Sequence, residues 1–107
     1  MHTGLDASSY KIESLDPFNE LYDNWGKGAF QRFTGLKAIN PGLKTLLAIG
    51  GWNEGATKYS QMVGDPQKRA VFTQSALEMV LEHGFDGLDL DWEYPGDIFL
   101  QTYSRFF

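Results

Sequence analysis

Four carboxylate side chains fall within eight residues of the stretch DGLDLDWEYPG, residues 86–96. They are Asp86, Asp89, Asp91 and Glu93. Leucines and a tryptophan separate them, and a short apolar run of this kind is typical of a buried strand. Because a charge is costly to bury without a partner, so many acidic groups in an apolar setting indicate a chemical role.

Strand geometry divides these carboxylates between two faces. Because side chains alternate along a strand, Asp89, Asp91 and Glu93 share one face, and Asp86 shares the other with the apolar residues. Neighbours in this acidic row lie roughly 6–7 Å apart, from a rise of about 3.3 Å per residue. Like charges at that separation do not all ionise readily, so one group holds a proton near neutral pH, as a general acid must.

Two other uses of clustered carboxylates compete with acid catalysis. Acidic residues can cap a strand end in contact with water, which explains one such residue more easily than three in alternate positions. Hard cations take oxygen ligands from several directions, usually from a loop. The row follows a strand and lacks EF-hand spacing, so we expect neither a metal ion nor another cofactor.

Two strands and two helices are expected to position the acidic row. The apolar run 43–51 predicts a buried strand ending at a Gly pair, and residues 85–92 predict a second one. Asp65 followed by proline is a helix start, and the helix should cover residues 66–82. Residues 29–39 show the spacing of a shorter amphipathic helix.

This alternation of helix and strand predicts an α/β fold with parallel strands covered by helices. Residues 1–26 are rich in turn formers, so we expect a loop there, with the remains of a strand near Leu5. The residues of the longer helix expected to face inward are Val71, Phe72, Ser75, Met79 and either Val80 or Leu81.

Composition excludes several classes of protein. With 42% hydrophobic and 15% aromatic residues, the 107-residue chain is globular rather than disordered, and it forms one domain or part of one. The net charge of −5 and the lack of a basic run argue against nucleic acid binding. No apolar stretch is long enough to span a bilayer, no secretory signal follows Met1, and nothing indicates an obligate protein partner. Cysteine is absent, which excludes disulfides.

Two motifs resemble a known family. DGLDLDWE matches the DxxDxDxE signature of glycoside hydrolase family 18, the chitinases and their relatives. LLAIGGWN, residues 46–53, resembles the family's SxGG signature, with Ala48 in place of the serine. NPGLKTLLAIGGWNEG and SLDPFNELYDNWGKG are most similar to arthropod chitinases. The resemblance covers residues 4–96, and the tail, residues 97–107, diverges.

This resemblance implies a (β/α)₈ TIM barrel, which takes about 250 residues. The chain would supply roughly strands 2 to 4 with their helices, so residues 1–107 are expected to form a partial catalytic domain. It also implies that the parent enzyme is extracellular, although no signal peptide begins this sequence.

The activity implied by the resemblance is endo-acting hydrolysis of β-1,4-linked N-acetylglucosamine polymers by a substrate-assisted, retaining mechanism. In this scheme Glu93 protonates the glycosidic oxygen, Asp91 orients the acetamido group of the substrate, and Asp89 shares a proton with Asp91. For Asp86, which lies on the other face, a structural hydrogen-bonding role is expected at least as much as a catalytic one. The residues that would bind chitin or a chitooligosaccharide are Gly50, Gly51, Trp52, Asn53 and Tyr94.

Three hypotheses remain open: a chitinase-type hydrolase, a noncatalytic, lectin-like chitin-binding relative, and an inactive truncated product. Glu93 favours the hydrolase, because lectin-like relatives usually replace that residue. For Trp52, stacking on a sugar competes with a place in the core, since tryptophan is usually well buried.

Overall fold

The structure is a computed structural model that describes residues 2–94. The predicted divergent tail, residues 97–107, lies outside the described residues. Among residues 2–94, no helix combines the length and apolar composition that a membrane crossing requires.

One four-stranded sheet organises residues 2–94, in the order β2-β1-β3-β4. The strands are β1 (His2–Leu5), β2 (Ile12–Ser14), β3 (Leu46–Gly50) and β4 (Gly87–Asp91). Strand β3 runs parallel to both β1 and β4, whereas β2 is antiparallel to β1. The two strands predicted from the apolar runs are therefore present, adjacent and parallel.

In the part of the chain that the structure describes, four α-helices connect the strands: α1 (Pro17–Glu20), α2 (Ala29–Thr34), α3 (Thr57–Val63) and α4 (Pro66–His83). Helix α3 was not predicted. Three turns of 3₁₀-helix cover Asp23–Trp25, Gly35–Ala38 and Trp52–Glu54.

Helix α4 begins and ends where local signals place it. The Asp65 carboxylate accepts from the N–H of Gln67 at 2.8 Å and of Lys68 at 3.3 Å, which satisfies two free donors of the first turn. The helix ends at His83, and Gly84 follows with a φ of +78°. The predicted bounds are confirmed to within one residue.

The predicted inward face of α4 is partly wrong. Phe72, Ser75 and Met79 are buried or half-buried, and of the alternatives Val80 and Leu81 it is Val80 that is buried. Val71 is exposed, and Ala76, which was not predicted, is buried. The helix contacts its neighbours along a narrow stripe, so a small residue in the centre of the stripe is covered more fully than a large one at its margin.

The strand expected near Leu5 is β1, but the rest of the loop predicted at residues 1–26 is corrected, because β2 pairs with β1 in a hairpin there. Its turn is closed by backbone hydrogen bonds from Asp6 to Lys11 (2.9 Å) and from Tyr10 to Asp6 (2.8 Å). Strand β2 has only three residues, which is too short for periodicity to reveal it. The helix predicted at residues 29–39 changes to a 3₁₀ turn at Gly35.

The hydrophobic core lies between one face of the sheet and the helices. Leu47 and Ile49 of β3 are fully buried on that face, against Phe30 of α2 and Phe72 of α4. Thr34 also joins α2 to the end of α4, since its hydroxyl donates to the His83 carbonyl oxygen at 2.7 Å. The helices thus cover one face of the sheet and leave the other free for the site.

Candidate active site

The register between β3 and β4 places two members of the acidic row on the uncovered face. Asp89 lies beside Ala48, and Asp91 lies beside Gly50. Their neighbours along β3 point into the core, so these pairs face the opposite side. Asp89 is exposed and Asp91 is half-buried. The small residues of β3 leave space beside both carboxylates.

The third member of the row, Glu93, lies two residues beyond the end of β4. Trp92, between Asp91 and Glu93, is buried in the core, so the alternation of faces continues past the last strand residue. Glu93 is half-buried, and Tyr94 is exposed. These residues follow the carboxyl ends of parallel strands, where ligands bind in α/β folds.

The Gly pair brings the ends of β3 and β4 into close contact. Gly50 and Gly51 both have a φ of +103°, a conformation that L side chains rarely adopt. A Cβ at Gly50 would collide with the backbone carbonyl oxygen of Asp91. The same oxygen accepts from the Gly51 N–H at 2.8 Å. Glycine is therefore required at position 50 for the strands to close at this end.

A hollow of about 320 Å³ lies beside the Gly pair. The indole of Trp52 is 73% exposed, so the alternative of a core tryptophan is wrong for the described part of the chain. Four of the five predicted substrate-binding residues line the hollow, and Tyr94 does not. The lining residues are Leu15, Gly50, Gly51, Trp52, Asn53 and Glu54.

Leu15 and Glu54 also line this hollow and were not predicted, and Glu54 is the charged one. Its Oε1 accepts from the Leu5 N–H at 2.9 Å and from the Tyr59 hydroxyl at 2.9 Å, and its Oε2 pairs with Lys58 at 3.0 Å. Burial alone would raise the pKa of Glu54, but the bonds from Leu5, Lys58 and Tyr59 outweigh it and lower that pKa. The sequence signal that could have identified Glu54 is a carboxylate two residues after Trp52, close to the Gly pair.

The hydroxyl of Tyr59 remains a hydrogen-bond donor. Burial, followed by the negative charge of Glu54, raises the pKa of Tyr59 far above its ordinary value. The Tyr59 ring is fully buried, and its hydroxyl donates to the Glu54 carboxylate.

Asp86 lies at the opposite end of β4 from Glu93, about 23 Å away along an extended chain at about 3.3 Å per residue. Its Oδ2 accepts from the Thr45 N–H at 2.8 Å and the Thr45 hydroxyl at 3.3 Å, and it pairs with Lys37 at 3.2 Å. The Thr45 amide, followed by Lys37, lowers the pKa of Asp86. These contacts support the structural role predicted for Asp86.

Within residues 2–94, no group of three or more His, Cys, Asp or Glu side chains is arranged to hold a metal ion. Carboxylates in alternate positions on one open face are suited to proton transfer and to hydrogen bonding of a polar ligand.

Comparisons with known proteins identify the family. The profile of glycosyl hydrolases family 18 matches residues 3–106. The chain is 48% identical over 92 residues to probable chitinase 2 of Drosophila melanogaster, covering 86% of this chain and 19% of that protein. It is 47% identical over 93 residues to an endochitinase of Manduca sexta, covering 87% of this chain and 16% of that protein. The chain thus spans about a fifth of the length of these relatives.

Among solved structures, the group IV chitinase of Ostrinia furnacalis superposes with a TM-score of 0.88 at 42% identity. The match covers 99% of this chain and 29% of that chain. The predicted fold class, α/β and part of a (β/α)₈ barrel, is confirmed by this likeness. With a profile match across nearly all of its residues, the chain belongs to glycosyl hydrolases family 18.

Proposed function

We propose that the complete protein carrying this chain hydrolyses β-1,4-linked N-acetylglucosamine polymers, with this chain supplying the acid-bearing strand. The observation that carries the proposal is the β3–β4 register, which puts Asp89 and Asp91 on the uncovered face next to Ala48 and Gly50. Family membership makes a glycosidic bond the reacting group. The names of the insect relatives support chitin as the substrate and endo-cleavage as the mode.

Glu93 is proposed as the general acid. It gives its proton to the glycosidic oxygen while the carbonyl oxygen of the substrate's own N-acetyl group attacks the anomeric carbon. The bond to the leaving sugar breaks, and a cyclic oxazolinium-type intermediate forms. The Glu93 carboxylate then takes a proton from water as that water opens the intermediate, which restores the acid and retains the anomeric configuration.

Asp91 is proposed to accept a hydrogen bond from the acetamido N–H, which turns the carbonyl oxygen toward the anomeric carbon and stabilises the developing positive charge. Asp89 is proposed to share a proton with Asp91. The two lie two residues apart on the same face of β4, at roughly 6–7 Å along the strand. Because Gly51 donates to the Asp91 carbonyl oxygen, the backbone that carries Asp91 is held in place.

The hollow beside the Gly pair is proposed to bind sugar units. The exposed indole of Trp52 offers a flat apolar surface to the face of a sugar ring, and Asn53 offers an amide for its hydroxyls. Gly50 and Gly51 let a ligand approach the backbone of the hollow, and Tyr94, which lies outside the hollow, is proposed to contact the same sugar chain. A solved complex of the Ostrinia furnacalis enzyme contains allosamidin, which supports a carbohydrate ligand for the family site. The complete protein is proposed to act outside the cell, as its relatives' substrate class suggests.

The test is Glu93→Gln in the complete protein. Glutamine keeps the shape of the side chain but has no acidic proton to donate, so chitooligosaccharide hydrolysis should fall below detection while binding persists. Asp65→Asn, at the start of α4 and away from the hollow, is the control and should keep full turnover.

Three outcomes would contradict the proposal. Unchanged turnover in the Glu93→Gln protein would remove the acid role. A wild-type protein that binds chitooligosaccharides without cleaving them would instead favour the lectin-like hypothesis, and one that neither binds nor cleaves them would favour an inactive product.

A further inference from the structure

The turn that carries Trp52 is attached to strands on both sides of β3. At its start, the Gly51 N–H donates to the carbonyl oxygen of Asp91 on β4 at 2.8 Å. At its end, the Glu54 carboxylate accepts from the N–H of Leu5 on β1 at 2.9 Å. The turn is therefore fastened across the sheet, from the strand that carries the acidic row to the strand on the far side of β3.

The turn itself, residues 51–55, has few internal hydrogen bonds. The N–H of Glu54 donates to the Gly51 carbonyl oxygen at 3.1 Å, and that of Gly55 donates to the Trp52 carbonyl oxygen at 3.2 Å. Trp52 and Asn53 are both exposed. Short 3₁₀ turns have poorer hydrogen-bond geometry than α-helices, so the anchors at the two ends must define where the indole lies.

Of the two anchors, the Gly51 hydrogen bond and the Glu54 carboxylate, the Glu54 carboxylate is the stronger. Only 11% of its side chain is exposed, and its two oxygens are occupied by Leu5, Tyr59 and Lys58. A Cβ at Gly4 would collide with its carboxylate, so the strand end has no side chain where Glu54 lies. Hydrogen bonds to a charged acceptor are about twice as strong as neutral ones, which makes this contact costly to break.

We propose that Glu54 is a positioning residue that holds Trp52 at a set place relative to Asp91 and Glu93, with Tyr59 as its buried support. The inference rests on the proposed function, because it assigns Glu54 to the binding of the same sugar chain. Both oxygens of Glu54 are already bonded, to Leu5, Tyr59 and Lys58, so Glu54 acts through the turn it anchors rather than on the reacting atoms.

A residue that only stabilises the fold would behave differently from a positioning residue. Its removal would lower the melting temperature, and its effect on sugar affinity would not depend on Trp52. Positioning predicts energetic coupling, because once the indole is gone there is nothing left for Glu54 to position. A double-mutant cycle between Glu54 and Trp52 therefore separates the two roles.

The experiment uses the complete protein with Glu93→Gln as background, so that the bound chitooligosaccharide is not consumed. Titration calorimetry measures the dissociation constant of a chitohexaose for this background and for four variants of it. The variants carry Glu54→Gln, Tyr59→Phe, Trp52→Ala, or Glu54→Gln together with Trp52→Ala. Glu54→Gln should weaken binding about five- to tenfold, and Tyr59→Phe about two- to threefold. The double variant should bind within about twofold of Trp52→Ala alone.

Asp65→Ala is the matched control, because it removes the N-terminal cap of α4 and should lower the melting temperature without changing the dissociation constant. The inference is overturned if the effects of Glu54→Gln and Trp52→Ala multiply independently, or if Glu54→Gln changes only the melting temperature. Should the Glu93→Gln background bind no chitohexaose at all, the proposed function fails together with the inference. Binding without coupling overturns the inference alone.

Discussion

The N–H of Gly51 donates to the backbone carbonyl oxygen of Asp91 across 2.8 Å, at the point where β3 and β4 end. This bond joins the residue before the exposed Trp52 to the backbone of one member of the acidic row. The hollow and the carboxylates therefore form one unit at the carboxyl end of the sheet, and a change in the Gly pair should disturb both.

Gly50→Ala should destabilise the protein more than Gly55→Ala. Both glycines have a positive φ, +103° at Gly50 and +71° at Gly55, so alanine is strained at either position. Only at Gly50 would the new Cβ also meet backbone, the Asp91 carbonyl oxygen, whereas nothing lies within 4 Å at Gly55. We expect a loss of about 1 kcal/mol at Gly55 and about 3 kcal/mol or more at Gly50. Denaturant unfolding of the complete protein measures both, and equal losses would show that the strands do not close tightly at Gly50.

Asp91→Asn should lower kcat by about a hundredfold or more, with a smaller change in KM. The amide keeps the size of the side chain but cannot supply the same negative charge to the positively charged intermediate. Initial rates on a chitooligosaccharide series measure both constants. If kcat is unchanged and only KM rises, Asp91 serves in ground-state binding rather than in stabilising the intermediate.

Asp86→Asn should affect stability rather than turnover. Asp86 lies at the end of β4 away from Glu93, and it bonds to Thr45 and Lys37. The Thr45 amide and Lys37 lower the pKa of Asp86 from its ordinary value of 3.8. The stabilisation that the charge provides is therefore fully present above pH 3.8 and is lost as the pH falls through the lower pKa of the folded state.

Melting temperatures of wild type and Asp86→Asn, measured from pH 6 down to pH 2, should differ at the upper end and converge below about pH 4. Lys37→Met should reduce part of the difference, and that part should shrink in high salt because the pair is exposed. A difference that persists unchanged at pH 2 would mean that the Asp86 charge contributes nothing to stability.

The 107-residue chain purified alone should be poorly folded or aggregated, with no measurable chitinase activity. Strands β2 and β4 are the outer strands of the described sheet, and unpaired strand edges associate with other chains. The face that carries Asp89 is open to water rather than closed within a barrel. Circular dichroism during heating and a fluorogenic chitobioside assay test both parts. A cooperative melt, together with turnover that Glu93→Gln abolishes, would show that the chain is a self-sufficient enzyme.

Much of the framework could be predicted from the sequence because its signals are local. Asp65 and the proline after it determine where α4 begins, since the cap bonds to N–H groups only two and three residues away. The alternation of apolar and acidic residues along β4 likewise separates Leu90, which packs against the core, from Asp89 and Asp91. These features depend on backbone geometry and side-chain chemistry within one element, so the sequence alone determined them.

The placement of Glu54 and Asp86 was decided only by the tertiary structure. Glu54 meets Leu5 across 49 residues of sequence, and Asp86 meets Thr45 across 41. No periodicity or capping signal encodes such a meeting, because it depends on which strands become neighbours and in what register. The same register places Gly50 beside Asp91, which turns two separate sequence motifs into one site. The sequence by itself thus determined the chemical groups and the faces they occupy, and the packing of distant strands decided which groups lie together.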